Sequence, residues 1–188
     1  GVVEPAGLRW RADIGLDVAA VAASQFRLEL PASVDVTSVE SLELAGWKLA
    51  AGDEGRSELT IEFRQPFQGQ GVVRVQGLAP IQLGKPLPMP TAVVRDAVSH
   101  VGQIVLLPSD SLRLEFTELT GVRRLPDVPR ATDPAPQRPG PRIRFAYWQE
   151  QFKLGLLATG RARELEAAVA TLVDVGRSGV TLRTSITV

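Results

Sequence analysis

The chain has 188 residues, 21 Lys or Arg balanced by 21 Asp or Glu, a formal net charge of zero, and no cysteine. That length buries a core without metals or disulfides. The missing thiols exclude disulfide frameworks, thiolate zinc sites, iron–sulfur clusters and cysteine nucleophiles, and the neutral balance argues against a nucleic-acid partner.

The first clear element is "LRWRADIGLDV", where Leu8, Trp10, Ala12, Ile14, Leu16 and Val18 alternate with Arg9, Arg11, Asp13, Gly15 and Asp17. Strand side chains alternate faces, so this predicts a half-buried antiparallel strand with one apolar and one charged face. The same phase recurs at Phe26, Leu28 and Leu30, stopped by Pro31, and at Leu59, Ile61 and Phe63, with a stop expected at Pro66. Further strands are expected around Val34 and Val36, from Leu42 and Leu44 into "GWKL", in "GVVRVQG" and "GQIVLL", at Leu112, Leu114 and Phe116, and at Ile143, Phe145 and Tyr147. The segments "AAGDEG", "QPFQG" and "LPSDS" carry the Gly, Asp, Ser and Pro of turns. Residues 18–23, the longest apolar run, fall far short of the roughly 20 residues of a spanning helix, so no membrane insertion is expected.

"IQLGKPLPMPT" places Pro86, Pro88 and Pro90 within five residues, which suits an extended edge crossing between sheets and not a central strand. "RARELEAAVATLVDV" fits two patterns: Leu165, Val169, Leu172 and Val173 form a helical face, whereas Leu165, Ala167, Val169, Thr171, Val173 and Val175 form a strand face. Helix propensity favours the first. A hairpin of two long strands joined across Gly176 to Gly179 accounts for the whole segment, including the alternation of Val180, Leu182, Thr184, Ile186 and Val188, and is the reading taken.

This last strand also echoes the first. Set 172 residues apart, "VEPAGLRWRADI" and "VGRSGVTLRTSI" agree at Val3 and Val175, Gly7 and Gly179, Arg11 and Arg183, and Ile14 and Ile186, with coincident apolar phases. Residues 175–188 are therefore read as the first strand of a following repeat. The opening "GVVEPAG" likewise reads as part of a longer protein.

Motifs for chemistry are sparse. His100 is the single histidine, and no nucleophile elbow, P-loop, dinucleotide fingerprint or zinc-protease helix is present. Asp96 and serines 99, 109 and 111 lie near His100 in sequence without the spacing that would define a triad. Glu29, Glu58 and Glu62 fall on outward strand phases, so a carboxylate-dependent hydrolase is the most remote reading and no cofactor is expected.

One segment stands out. Residues 124–152, "RLPDVPRATDPAPQRPGPRIRFAYWQEQF", hold six prolines, and residues 121–163 carry nine Arg or Lys against Asp127, Asp133 and Glu150. The prolines predict a long surface loop feeding an aromatic strand. Adjacent Tyr147 and Trp148 must face opposite sides of that strand, one inward and one outward. An outward ring beside Arg138, Arg142 and Arg144 makes these five residues the candidate ligand site, for polysaccharide or another anionic polymer.

The cadence "FRLELPASVDVTSVE…GWKL…LTIEFRQPFQGQGVVRVQG" resembles β-sandwich modules of large bacterial envelope and secreted proteins over residues 8–78. The resemblance implies a modular, non-catalytic, extracytoplasmic part whose partners are neighbouring domains of its parent chain. The expected fold is all-β, an antiparallel β-sandwich over residues 1–188, with long proline-rich surface loops at 79–91 and 125–142. The expected function is a structural or interaction module of a larger bacterial protein.

Overall fold

The computed structural model describes residues 1–53, 55–126, 142–161, 168–176 and 179–187. The protein is all-β, with no helix among these residues. A nine-stranded mixed sheet contains β1 (Val2–Glu4), β2 (Gly7–Pro31), β3 (Asp35–Glu40), β4 (Leu44–Ala51), β5 (Arg56–Ala79), β7 (Val93–Val94), β8 (Gly102–Pro108), β10 (Val122–Leu125) and β11 (Ile143–Tyr147). A three-stranded sheet contains β6 (Pro86–Pro88), β12 (Lys153–Gly160) and β9 (Leu112–Thr120), with β12 in the middle. Strands β13 (Ala168–Gly176) and β14 (Gly179–Thr187) pair with each other as a hairpin, the strand reading of that segment.

The large sheet is organised by two unusually long strands. Antiparallel β2 and β5 pair from Leu8↔Ala79 to Pro31↔Arg56, with register shifts between Val18 and Ala23 and between Ala23 and Gln25. On the far side of β5, β3 pairs with residues 74–78 and β4 with residues 57–63, although only residues 41–43 separate β3 from β4. The stretch of β5 between those pairings must therefore bow outward, and β2 bows with it. Both halves of the ribbon then face one core: Leu8, Trp10, Val73 and Val75 from one half, Leu28, Leu30, Leu59 and Ile61 from the other. Thus a single sheet, curled through the bulges, does much of the enclosing that the sequence reading assigned to two sheets of short strands.

The stop expected at Pro66 is not a stop. β5 continues through it, because Pro66 falls between the Glu62 and Phe67 pairings, where its missing N–H costs no ladder bond. The expected "QPFQG" turn is likewise the bend of a continuous strand. Phe63 and Phe67 stack there at 5.8 Å, and a Cβ on Gly71 would come within 2.6 Å of the Phe67 ring, so the missing side chain lets the ring fill the inside of the bend. Pro31 does end its strand.

The chain passes between the sheets at defined corners. Between β9 and β10 lies only Gly121, whose φ of 68° suits glycine and turns the backbone from the small sheet to the large one. Pro86–Pro88 forms an edge strand of the small sheet, where prolines cost least. The Trp10 indole N–H then donates to the Pro90 carbonyl at 3.1 Å, fastening the return of the chain towards β7. Across the interior, Phe116 of β9 meets Phe145 of β11 edge-on at 4.9 Å. The loop expected at 125–142 falls for the most part on residues 127–141, outside the described residues.

Candidate functional site beside Trp148

Strands β8 and β11 pair antiparallel from Ile143↔Leu106 to Tyr147↔Gly102. That register brings the chain entering β8 alongside the chain leaving β11. Between them lies an open cleft of about 230 Å³, lined by Ala97, Val98, Ser99, His100, Trp148, Gln149 and Glu150. Asp96, which enters this segment, has φ 61°, a left-handed conformation that aspartate tolerates better than most residues.

The two adjacent rings lie in different surroundings: Tyr147 is the last residue of β11 and Trp148 comes just after the strand ends, so the alternation expected to part them does not extend to Trp148. Trp148 is 56 % exposed and forms one wall of the cleft. Tyr147 is half-buried and stacks on Phe152, with ring centroids 4.4 Å apart and planes at 24°. Its ring lies over Gly102, where any Cβ would overlap it. Burial pushes the Tyr147 hydroxyl above its ordinary pKa, because the phenolate would lose its water. The chain beyond Trp148 is held locally: the Gln149 side-chain amide donates to the Gln151 carbonyl at 3.0 Å, and the Phe152 N–H donates to the Glu150 carbonyl at 3.1 Å.

The arginines expected to flank the rings are distributed differently. Arg144 is 2 % exposed, inside the sheet layer, and its Nη2 donates to Gln103 Oε1 at 3.0 Å. Arg142 is half-buried just before β11, and Arg138 lies outside the described residues. Neither Arg142 nor Arg144 lines the cleft. In their place the structure gathers His100, Ser99, Gln149 and Glu150 around Trp148. Sequence reasoning had no means to find the 97–100 side of this site, because an antiparallel partner about fifty residues away leaves no local periodicity.

Val98, in the lining, is fully exposed, and Val101, which follows His100 in the chain just outside the lining, is 70 % exposed.

The other candidates for chemistry sit in structural roles. The Ser109 and Ser111 hydroxyls share a hydrogen bond of 2.9 Å at the turn between β8 and β9. Glu29 accepts from Arg56 at 3.3 Å and from Arg95, and Glu62 accepts from Lys48 at 2.8 Å. Among the described residues no three His, Asp or Glu converge to hold a metal ion. Comparison with protein-family models, with curated proteins and with solved structures finds none that matches this chain.

Proposed function

We propose that the chain is a non-catalytic interaction module of a larger bacterial extracytoplasmic protein, and that the rim around Trp148 is its contact surface. The observation that carries this reading is the exposure of Trp148 and Val98 together in one cleft, with exposed Val101 next after its His100 in the chain. Indole and branched aliphatic side chains bury much area for little lost rotamer freedom, which is the make-up of a contact centre rather than of a solvated loop. The partners are neighbouring domains of the parent chain. In the parent protein, contact at this rim shifts Trp148 emission to the blue relative to the isolated chain, and Trp148→Ala abolishes the difference. Identical emission in the two settings overturns the reading.

A second reading is favoured by the polar lining. An exposed indole beside the Ser99 hydroxyl, the His100 imidazole, and the Gln149 and Glu150 side chains has the elements of a sugar platform, with the ring under a pyranose face and polar groups at its edge. Among the described residues this lining holds one carboxylate, Glu150, and no arginine, which suits a neutral polysaccharide better than an anionic polymer. The test is intrinsic fluorescence titrated with neutral and anionic polysaccharides. A saturable change with a neutral polymer, lost in Trp148→Ala while the fold is retained, supports this reading, and silence across the panel removes it.

A further inference from the structure

The hairpin β13–β14 has the register of the opening hairpin of the chain and agrees with it in sequence at Val175, Gly179, Arg183 and Ile186. In β1–β2 the pairs are Val2↔Arg9, Val3↔Leu8 and Glu4↔Gly7. Moving each residue on by 172 positions leads to Asp174↔Thr181, Val175↔Val180 and Gly176↔Gly179, which are the pairs at the turn of β13–β14. Both hairpins thus place two residues between the last pair, and both resume with glycine at the same point.

The faces correspond as well. By register Val169, Thr171, Val173 and Val175 share one face with Ile186, Thr184, Leu182 and Val180, and six of these eight residues are apolar. On β14 the positions Val180, Leu182, Thr184 and Ile186 match Leu8, Trp10, Ala12 and Ile14 of β2. In the first copy Leu8 is wholly buried, Trp10 is 6 % exposed, and Ala12 and Ile14 pack against the core. The alternate positions Thr181, Arg183 and Ser185 match Arg9, Arg11 and Asp13, which are exposed.

Among the described residues β13 and β14 pair only with each other. A two-stranded hairpin is marginally stable in water by itself, and one with an apolar face requires cover. In the first copy that cover comes from β5, which pairs with β2 from Leu8↔Ala79 onward, and from β8, which runs parallel to β1 through Val2↔Leu107 and Val3↔Pro108.

We infer that residues 168–187 open a second module of the same fold, so that β13 and β14 stand in that module where β1 and the start of β2 stand in this one. The hairpin's partner is then the β5- and β8-equivalent strands of the following module. Seven residues, 161–167, separate β12 from β13. The inference deepens the reading of the chain as a module of a larger protein and rests on it, but it concerns a different surface from the Trp148 rim. Failure here leaves the rim reading intact, and failure there leaves this one intact.

The test is a hybrid chain in which Val188 is followed directly by a second copy of residues 17–188, so that residues 173–188 replace residues 1–16 of the second module. Hydrogen exchange is followed by mass spectrometry on junction peptides and compared with the unextended chain, with amides 8–15 of the first copy as internal standard. The expected result is exchange at amides 179–187 slowed by on the order of 100-fold towards the internal standard. Exchange unchanged from the unextended chain overturns the proposal. A Leu182→Asp hybrid, altered at the position equivalent to Trp10, should lose the protection while amides 8–15 keep theirs. Protection that survives this change also overturns it, because the hairpin would then not be packed by its apolar face.

Discussion

At the scale of single residues, Tyr147 shows how a site is held from beneath. Its ring lies between Phe152 and the bare backbone of Gly102, whose extended conformation any residue could adopt, so glycine is required there for space alone. Gly102→Ala should cost about 1 to 3 kcal/mol, the usual penalty for overpacking, and should displace the Tyr147 ring from Phe152. Chemical denaturation measures the first effect and near-ultraviolet dichroism the second. Tyr147 is the single tyrosine of the chain, so tyrosinate absorbance reports on it without overlap. Burial favours the neutral phenol, and the titration midpoint should therefore lie above the ordinary value of about 10. The sign for stability follows from this. The contribution of this group is complete below the unfolded-state pKa and is lost as pH rises through the higher folded value. A midpoint at or below the ordinary value would show that the ring is not enclosed as described.

At the scale of elements, proline separates the parts of β5 that need a ladder from the part that does not. Pro66 occurs naturally between the Glu62 and Phe67 pairings. Thr60, six residues earlier, is flanked on both sides, opposite Arg27 of β2 and Lys48 of β4. Thr60→Pro should therefore destabilise by about 3 kcal/mol or more, whereas Pro66→Ala should change stability by less than about 1 kcal/mol. Urea unfolding of the two variants makes the comparison, and equal effects would mean that the ladder is not interrupted at Pro66.

The same element shows what local pattern conceals. Alternation identified the apolar faces of residues 8–18, 26–30 and 59–63 correctly, and Leu8, Leu28, Leu30, Leu59 and Ile61 are all at most 1 % exposed. It did not reveal that these runs belong to two continuous strands, because a bulge is permitted by partner geometry rather than by the residues it contains. Strand β12 escaped altogether. In "KLGLLATG" the buried residues Leu154, Leu156 and Ala158 do alternate along one face of the central strand of the small sheet, but Leu157 and Gly155 between them blur the contrast with the other face, where no charged residue marks the alternation.

At the scale of the molecule, the outer face of the β2–β5 ribbon is a lattice of opposite charges. Asp13 accepts from Arg11 at 2.9 Å and from Arg74 at 2.7 Å, and Arg74 also reaches Glu40 at 3.1 Å. Partial burial by itself would raise the Asp13 pKa, but the hydrogen bonds and charges of Arg11 and Arg74 outweigh it and hold the carboxyl below its ordinary value. Its contribution to stability is thus present above the ordinary carboxylate range and is lost as pH falls through the folded value. These groups are substantially exposed, so Asp13→Asn should cost no more than about 1 kcal/mol near neutral pH. The difference from the unaltered chain should close in acid and shrink in concentrated salt. Urea unfolding at two pH values and two salt concentrations checks this, and a difference that persists in acid would assign the effect to packing instead of charge.

What this chain determined by its sequence alone is the all-β class and the faces of its alternating strands. Each follows from a period of two along the backbone, a property a few neighbouring residues possess by themselves. The tertiary structure alone decided which strands are neighbours, that β5 runs through Pro66, that Arg144 lies inside, and that His100 and Trp148 share a cleft. Those outcomes depend on the register between segments tens of residues apart, and register is chosen by burying every apolar face at once, a condition only the whole folded chain can satisfy.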